Sequence, residues 1–283
     1  MSHTIRPNNP IQINAQRLVK LINKTLIFAL LISLFFSQMS YAKGKLVLII
    51  DDVGYNQQDI EALKLEGPLT YAILPHTPFA KQYAALARKA NKDVILHIPM
   101  ESLSGKDLGP GAIMSDMNQS QVDTILTKAL DEVPYAIGIN NHMGSLLTQK
   151  SSSMAWTMAF LKRNDLFFVD SKTTRFSLGE EQADKAGVIS FHRNVFIDND
   201  LSPQAMDKQF KLLIRIAQKY RRSIGIAHPY PETITFLKQQ LPLLAKQGVE
   251  LTPLSALVAP YKLQLAKSQA TDNSQIVTIV TQD

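Results

Sequence analysis

Two adjacent carboxylates, Asp51 and Asp52, directly follow the apolar run 46–50 and precede Gly54. Two acids at one point repel each other, so their pKa values should separate unless a cation lies between them. The pair could therefore bind a metal ion or divide acid–base work between its members. The alternative is structural, with one aspartate capping the next helix and the other solvated. The residues at the ends of the other strands decide between these hypotheses.

Histidines recur at similar places along the chain. Of the six histidines, four lie within or just after short strand-like runs: His97, His142, His192 and His228. Each has an ordinary interpretation when taken singly, as a core histidine, a hydrogen-bonding loop residue or a turn residue. The carboxyl ends of parallel strands meet at one edge of a sheet, so we expect these side chains to converge. Imidazoles and a carboxylate together would suit a Zn²⁺-type ion.

Further polar residues stand at the same strand ends, in the segments NNH, DSK and HRN. For the acid and serine of DSK, a structural acid followed by a helix cap is the plainer interpretation, and the arginine of HRN more often pairs with an acid. His76, in LPHTP, is interpreted as a turn residue near the rim of the site. The candidates for substrate contact or ligand support are Asn140, Asn141, Asp170, Ser171 and Arg193.

Apolar runs typical of buried strands alternate with stretches of helical periodicity. This alternation predicts a parallel α/β sheet, either open or closed into a barrel. The loop 101–117 contains three glycines and a proline, and we expect it to be mobile or to face the substrate. The predicted strands are 46–50, 69–74, 93–98, 136–139, 166–169, 188–191, 223–227 and 249–251, and the predicted helices are 79–90, 120–130, 153–163, 202–221 and 231–246.

Residues 1–42 have the order of a secretory signal peptide. Four basic residues and no acid are followed by an apolar run, 26–36, and by Ser40-Tyr41-Ala42. This run is too short to cross a bilayer core of about 30 Å as a helix. We expect cleavage after Ala42 and a periplasmic protein. The alternative is an uncleaved membrane anchor, in which residues 18–22 extend the apolar segment.

Composition restricts the chemistry further. The 283 residues include no cysteine, which excludes cysteine catalysis and thiolate metal sites and suits an oxidising compartment. Four of the 30 basic residues and none of the 24 acidic ones fall in 1–42, so the rest is nearly neutral. That balance argues against a nucleic-acid-binding face. We expect one domain over 43–262 and a polar tail over 263–283.

Several segments, taken together and in order, resemble the divergent branch of the polysaccharide deacetylases, which are metal-dependent carbohydrate esterases. The segments are IIDDVG, ILPHTP, LHIPME, GINNHMGS, FFVDSKT, RNVFIDN and IAHP, within about residues 45–257. The resemblance implies a single domain folded as a distorted (β/α) barrel. It also implies that Asp51 is the general base and His228 the general acid.

The same resemblance implies that Asp52 and His97 bind a divalent metal, and Zn²⁺ is the expected ion. Glu101 stands where the family's second motif histidine is expected. His142 therefore becomes the expected third ligand, and Glu101 is the alternative, otherwise contacting the substrate or supporting a ligand.

The expected function is an exported metal-dependent hydrolase that removes acyl groups from amino sugars of envelope polysaccharide or peptidoglycan. No nucleic acid partner is expected. Contact with a membrane is expected only through an uncleaved signal segment. One alternative is a catalytically silent glycan- or peptidoglycan-binding protein, which Glu101 favours. Another is a membrane-tethered partner of envelope or division machinery, if Ala42 is not cleaved. Serine catalysis at Ser145 or Ser171 is disfavoured, because neither lies in a Gly-x-Ser-x-Gly elbow.

Overall fold

A computed structural model describes residues 43–264. The predicted signal peptide with its cleavage site, and nearly all of the predicted polar tail, lie outside the described residues. The described chain forms one parallel sheet with helices packed against it. Its strands are β1 (Gly44–Val53), β2 (Thr70–Ile73), β3 (Asp93–Met100), β4 (Gly138–Met143), β5 (Phe167–Asp170), β6 (Ser190–His192), β7 (Val195–Phe196), β8 (Arg222–Ala227) and β9 (Val249–Leu251).

Helices connect most of these strands, as the predicted alternation requires. The longest begins where Ser202 accepts a hydrogen bond from the Ala205 N–H and Pro203 occupies the first turn. The helices are α1 (Ile60–Leu63), α2 (Ala80–Lys89), α3 (Gln119–Glu132), α4 (Ser151–Arg163), α5 (Gly179–Ala186), α6 (Pro203–Tyr220) and α7 (Pro231–Gln240), with a last helix over 255–264. Among residues 43–264, no helix combines the length and hydropathy needed to cross a membrane.

The sheet order is β6-β5-β4-β3-β2-β1-β8-β7, and β9 pairs with the amino end of β1. Every strand pair is parallel. The strands β6 and β7 lie at opposite ends of this order, yet only Arg193 and Asn194 separate them in the sequence. The sheet must therefore curl until its two ends approach each other. This confirms the predicted distorted barrel, with all carboxyl ends at one rim.

Two apolar layers fill the fold, one on each side of the curled sheet. Along β1, side chains alternate between them, as the two-residue period of a strand requires. The outer layer contains Leu46 and Leu48 packed with the helices, and the inner layer contains Val47 and Ile49. Three residues near the start of the last helix, here called the terminal plug, complete the inner layer: Leu254, Leu257 and Val258. The barrel interior is thus filled with apolar side chains away from the polar rim.

Candidate metal centre

The two aspartates at the end of β1 both face the centre of the rim. Asp51 continues the inward series of Val47 and Ile49 and is 2% exposed. Asp52 should then point outward, because adjacent side chains of a strand alternate. It does not, because its φ is +58° and the β1–β2 register shifts between Ile50 and Val53. This left-handed conformation is uncommon for a residue other than glycine and strains the backbone.

Three potential ligand atoms converge at this point from the carboxyl ends of β1, β3 and β4. Asp52 Oδ1 lies 2.7 Å from His142 Nδ1 and 3.1 Å from His97 Nε2. The two ring nitrogens lie 3.2 Å apart. These are the three residues expected as ligands, and the structure brings them together as a group that could hold a metal ion.

The group fits a divalent cation better than it fits a hydrogen-bond network. Asp52 Oδ1 is buried, yet within the described part of the chain it has no partner of acceptable hydrogen-bond geometry. A buried polar atom without a hydrogen-bond partner lowers the stability of the fold. A cation bound between the three ligand atoms would provide a partner for the oxygen and for both imidazoles. One carboxylate and two imidazoles match the donor set of Zn²⁺ and leave coordination positions open.

Asn140 orients His97 toward this focus. The His97 Nδ1 atom lies 2.7 Å from Asn140 Oδ1, and Asn140 Nδ2 donates to Asp51 Oδ1 at 2.8 Å. The Asn140 amide oxygen can only accept, so the His97 Nδ1 must carry the proton and Nε2 keeps its lone pair for a metal. Asn140 is fully buried and links one candidate ligand to Asp51.

The environment separates the acidities of the two aspartates. Burial raises the pKa of Asp51, although the neighbouring imidazoles of His97 and His228 oppose this shift. Burial acts the same way on Asp52, but the facing imidazoles of His142 and His97 hold the pKa of Asp52 well below its usual range. Asp52 is therefore a permanent anion suited to binding a cation. Asp51 is the carboxylate that can take up a proton.

His228 follows β8 on the other side of Asp52, with its Nε2 3.9 Å from Asp52 Oδ2. Asp198 fixes the position of the His228 side chain through two contacts. Its Oδ1 atom lies 3.0 Å from His228 Nδ1, and its Oδ2 atom accepts a hydrogen bond from the His228 main-chain N–H at 2.6 Å. Thr233 Oγ1 donates to the same Oδ2 atom. Burial lowers the pKa of His228, but Asp198 outweighs it and raises the pKa to about 9. His228 is therefore protonated at neutral pH.

Asp198 and Thr233 are not among the residues predicted from the sequence. The segment RNVFIDN contains Asp198 and was part of the resemblance, so the signal was present. It was not assigned because β7, which carries the chain toward it, has only two residues and was not predicted as a strand.

Glu101 lies outside the metal-binding group and holds the loop 101–117. Its Oε2 atom accepts a hydrogen bond from the Ser115 N–H at 2.7 Å, and its main-chain N–H donates to the Ile113 carbonyl. The loop also packs against His76. Gly111 lies so close to the His76 ring that a Cβ atom at this position would collide with it. That the loop is mobile or faces the substrate stays a prediction.

The remaining predicted site residues form hydrogen bonds beside the candidate metal centre. Asn141 Oδ1 accepts from the Ser171 N–H, and Asp170 Oδ1 accepts from the Lys172 N–H. The Arg193 guanidinium donates to the main-chain carbonyls of Ser171 and Lys172. These contacts fix the loop after β5. None of these residues belongs to the group that could hold a metal.

Comparisons with known proteins agree with this geometry. The sequence profile described as divergent polysaccharide deacetylase matches residues 48–258. The uncharacterised protein YibQ of Escherichia coli K12 is 34% identical over 199 residues, which cover 70% of this chain and 62% of YibQ. An uncharacterised protein of Haemophilus influenzae is 34% identical over 207 residues, covering 73% of this chain and 74% of that protein. The chain thus matches less than two thirds of the length of YibQ.

Among solved structures, the fold is similar to that of the uncharacterised protein ATU2773 from Agrobacterium tumefaciens C58. The TM-score is 0.73 at 19% sequence identity, and the match covers 76% of this chain and 89% of that one. At this identity the likeness concerns the fold alone.

Proposed function

Since this chain belongs to the divergent polysaccharide deacetylase family, we propose that it is an exported, metal-dependent hydrolase that removes acyl groups from amino sugars of an envelope glycan. The observation that carries the proposal is the convergence of Asp52, His97 and His142 beside Asp51 and His228. The substrate class rests on the family, and export rests on the order of residues 1–42.

The chain's own residues can perform acid–base steps at this site. A Zn²⁺-type ion held by Asp52, His97 and His142 would acidify water and polarise an acyl carbonyl. Asp51, whose Oδ2 lies 3.7 Å from His97 Nε2, is close enough to this focus to accept the proton of an attacking water. Protonated His228 can give a proton to the departing amine, and Asp198 keeps that proton in place at neutral pH.

Acetate release from N-acetylated chitooligosaccharides tests the proposal. Protein beginning at Lys43 should release acetate when loaded with Zn²⁺. It should lose this activity on chelation and regain it when Zn²⁺ is added back, because water and the acyl carbonyl would be activated at the open coordination positions of the ion. Metal content is measured in parallel by mass spectrometry.

Two outcomes would count against the hydrolase. Stoichiometric metal and glycan binding without acetate release would favour the silent glycan-binding protein, and absence of bound metal would remove the mechanism. The variant Asp200→Asn, which changes an exposed acid near the rim, is the control and should keep full activity.

The Asp198→Asn variant should shift the pH dependence of turnover. A general acid must be protonated, so activity should fall as pH rises through the His228 pKa of about 9. Removing the Asp198 charge lowers that pKa toward its ordinary value, so the alkaline limb of the kcat profile should move to lower pH. Thr233→Val, which keeps the charge, should move the limb less. An unchanged limb would exclude His228 as the acid.

Unfolding of the metal-free protein gives a second readout. The raised His228 pKa contributes stability that is present below about 6.5 and is lost as pH rises through about 9. The destabilisation caused by Asp198→Asn should therefore be larger at pH 6 than at pH 10, measured by chemical denaturation. An equal effect at both values would show that Asp198 acts through its hydrogen bonds and not through its charge.

A further inference from the structure

Exposed basic side chains gather at the amino ends of β1, β8 and β9, opposite the metal centre. The Gly44 N–H donates to the Gly248 carbonyl, and the Lys45 N–H donates to the Arg221 carbonyl. Gly44 also packs on the main chain of Ala217 in α6, so closely that a Cβ would lie 2.4 Å from its carbonyl oxygen. These contacts bring together five exposed residues, here called the basic patch: Lys43, Lys45, Lys219, Arg222 and Lys246.

The basic patch brings together several exposed bases that no acid in the described part of the chain neutralises in an ion pair. Six of the exposed bases elsewhere pair with acids, namely in Lys64–Glu61, Lys81–Glu132, Arg163–Asp123, Lys185–Glu181, Lys211–Asp207 and Lys262–Asp165. Between residues 43 and 264, no member of the basic patch forms an ion pair. One exposed acid, Glu250 of β9, is in register with Lys45. The five bases and this one acid leave an excess of positive charge on the patch.

Helix geometry does not account for all of this charge. A lysine in the last turn of α6, such as Lys219, is expected from the helix dipole. Lys43 and Lys45 lie at the start of an extended strand, where no such dipole acts. The near-neutral balance of the sequence beyond residue 42 conceals this local concentration.

Two exposed tyrosines lie within the basic patch. Tyr220 is 62% and Tyr261 is 41% exposed. The Arg222 Nη1 atom donates to the Tyr261 hydroxyl at 2.7 Å, and Lys219 Nζ lies 4.9 Å from the Tyr220 ring centroid. Tyrosine is enriched where apolar and aqueous phases meet, because its ring is apolar and its hydroxyl is polar. Basic residues interleaved with tyrosines are suited to an anionic headgroup layer.

We propose that the basic patch docks on an anionic phospholipid surface. The lipid is favoured over another polyanion because the apolar run 26–36 precedes this face in the sequence. Only residues 37–42 separate the two, and six residues reach at most about 20 Å. From the sequence, membrane contact was expected only through an uncleaved signal segment, whereas the basic patch would act after cleavage as well. The metal centre, at the opposite rim, then faces away from the lipid.

Sedimentation with vesicles tests the docking. Protein beginning at Lys43 retains every strand pair and both apolar layers, so it should fold without the leader. It should bind phosphatidylcholine vesicles containing phosphatidylglycerol, not vesicles of phosphatidylcholine alone, and salt should weaken the binding. Replacing Lys43, Lys219 and Lys246 with Glu should weaken binding at least about tenfold, because each base near an anionic surface contributes.

A control of equal charge change distinguishes the patch from net charge. The control replaces Lys106, Lys128 and Lys208, which are exposed elsewhere on the domain, with Glu. An equal loss in both triple variants overturns the proposal, and so does the absence of vesicle binding. Patch-dependent binding to purified peptidoglycan without vesicle binding also overturns it, in favour of an anionic glycan.

A single substitution provides a second measurement that does not depend on the triple variant folding. Tyr220→Trp should shift its fluorescence emission to shorter wavelength on anionic vesicles, because the ring leaves water for the headgroup layer. Trp156, in α4, supplies a background that the parent protein measures. Unchanged Tyr220→Trp emission on saturating vesicles overturns the proposal.

Discussion

The His142→Ala protein should lose its bound metal as completely as the His97→Ala protein. Both histidines place a ring nitrogen within 3.1 Å of Asp52 Oδ1, so each supplies one of three protein ligands. Removing one of three ligands takes away a large part of the coordination energy. The measurement is metal stoichiometry after dialysis against a weak chelator, with thermal unfolding of the metal-free variants to show that each still folds.

Glu101→Gln is the matched comparison for this experiment. The Glu101 carboxylate accepts a hydrogen bond from the Ser115 N–H in the loop 101–117, whereas its contact with the segment after His142 is made by its main-chain carbonyl, which the substitution keeps. The amide can still accept that bond, so the loss of metal affinity should not exceed the 10- to 100-fold that is typical of supporting residues. The opposite ranking would make Glu101 the ligand and the site richer in oxygen, which suits Mn²⁺ or Mg²⁺. If neither change affects metal content, the bound-ion hypothesis fails and a silent binding protein becomes the better account.

Asp51→Asn should abolish most of the turnover while leaving the metal bound. The amide keeps the size of the carboxylate but cannot accept a proton, and loss of a general base costs about 10²- to 10⁴-fold in kcat. Metal content should not change, because the ligand atoms belong to Asp52, His97 and His142. Acetate release and metal stoichiometry measured on the same sample separate the two effects.

Asp170→Asn is the control for that variant, since Asp170 is also a fully buried aspartate at a strand end. It accepts from Ser177 Oγ and from the Lys172 N–H, so its replacement should lower the free energy of unfolding and leave turnover within about tenfold of the parent. An Asp51→Asn protein that keeps its turnover would exclude Asp51 as the base. One that loses its metal would make Asp51 a ligand.

Much of the fold could be predicted because its strands are continuous apolar runs. The five residues 46–50 are all buried, as strands covered on both faces require. Parallel strands direct their carboxyl ends to one rim, so residues as distant as Asp52, His97 and His142 could be expected to meet. The general location of the site therefore followed from strand type alone.

The features that could not be predicted depend on geometry between segments. The φ of +58° at Asp52 arises from a register shift against β2, which no local pattern reveals. The pairing of Asp198 with His228 depends on β7 lying beside β8. The basic patch combines residues from three separate parts of the sequence, so total charge gave no sign of it.

The arrangement around β1 has a consequence for how the chain matures. The strand β1 pairs with β8 and β9 and lies in the same layer as the terminal plug. All three of these elements come from residues 222–258. Ribosomes add about 5–20 residues per second, so β8 and β9 are synthesised on the order of ten seconds or more after β1. Such distant contacts also slow folding. We therefore expect the growing chain to stay extended until synthesis is nearly complete, the state in which a secretory channel can thread it across a membrane.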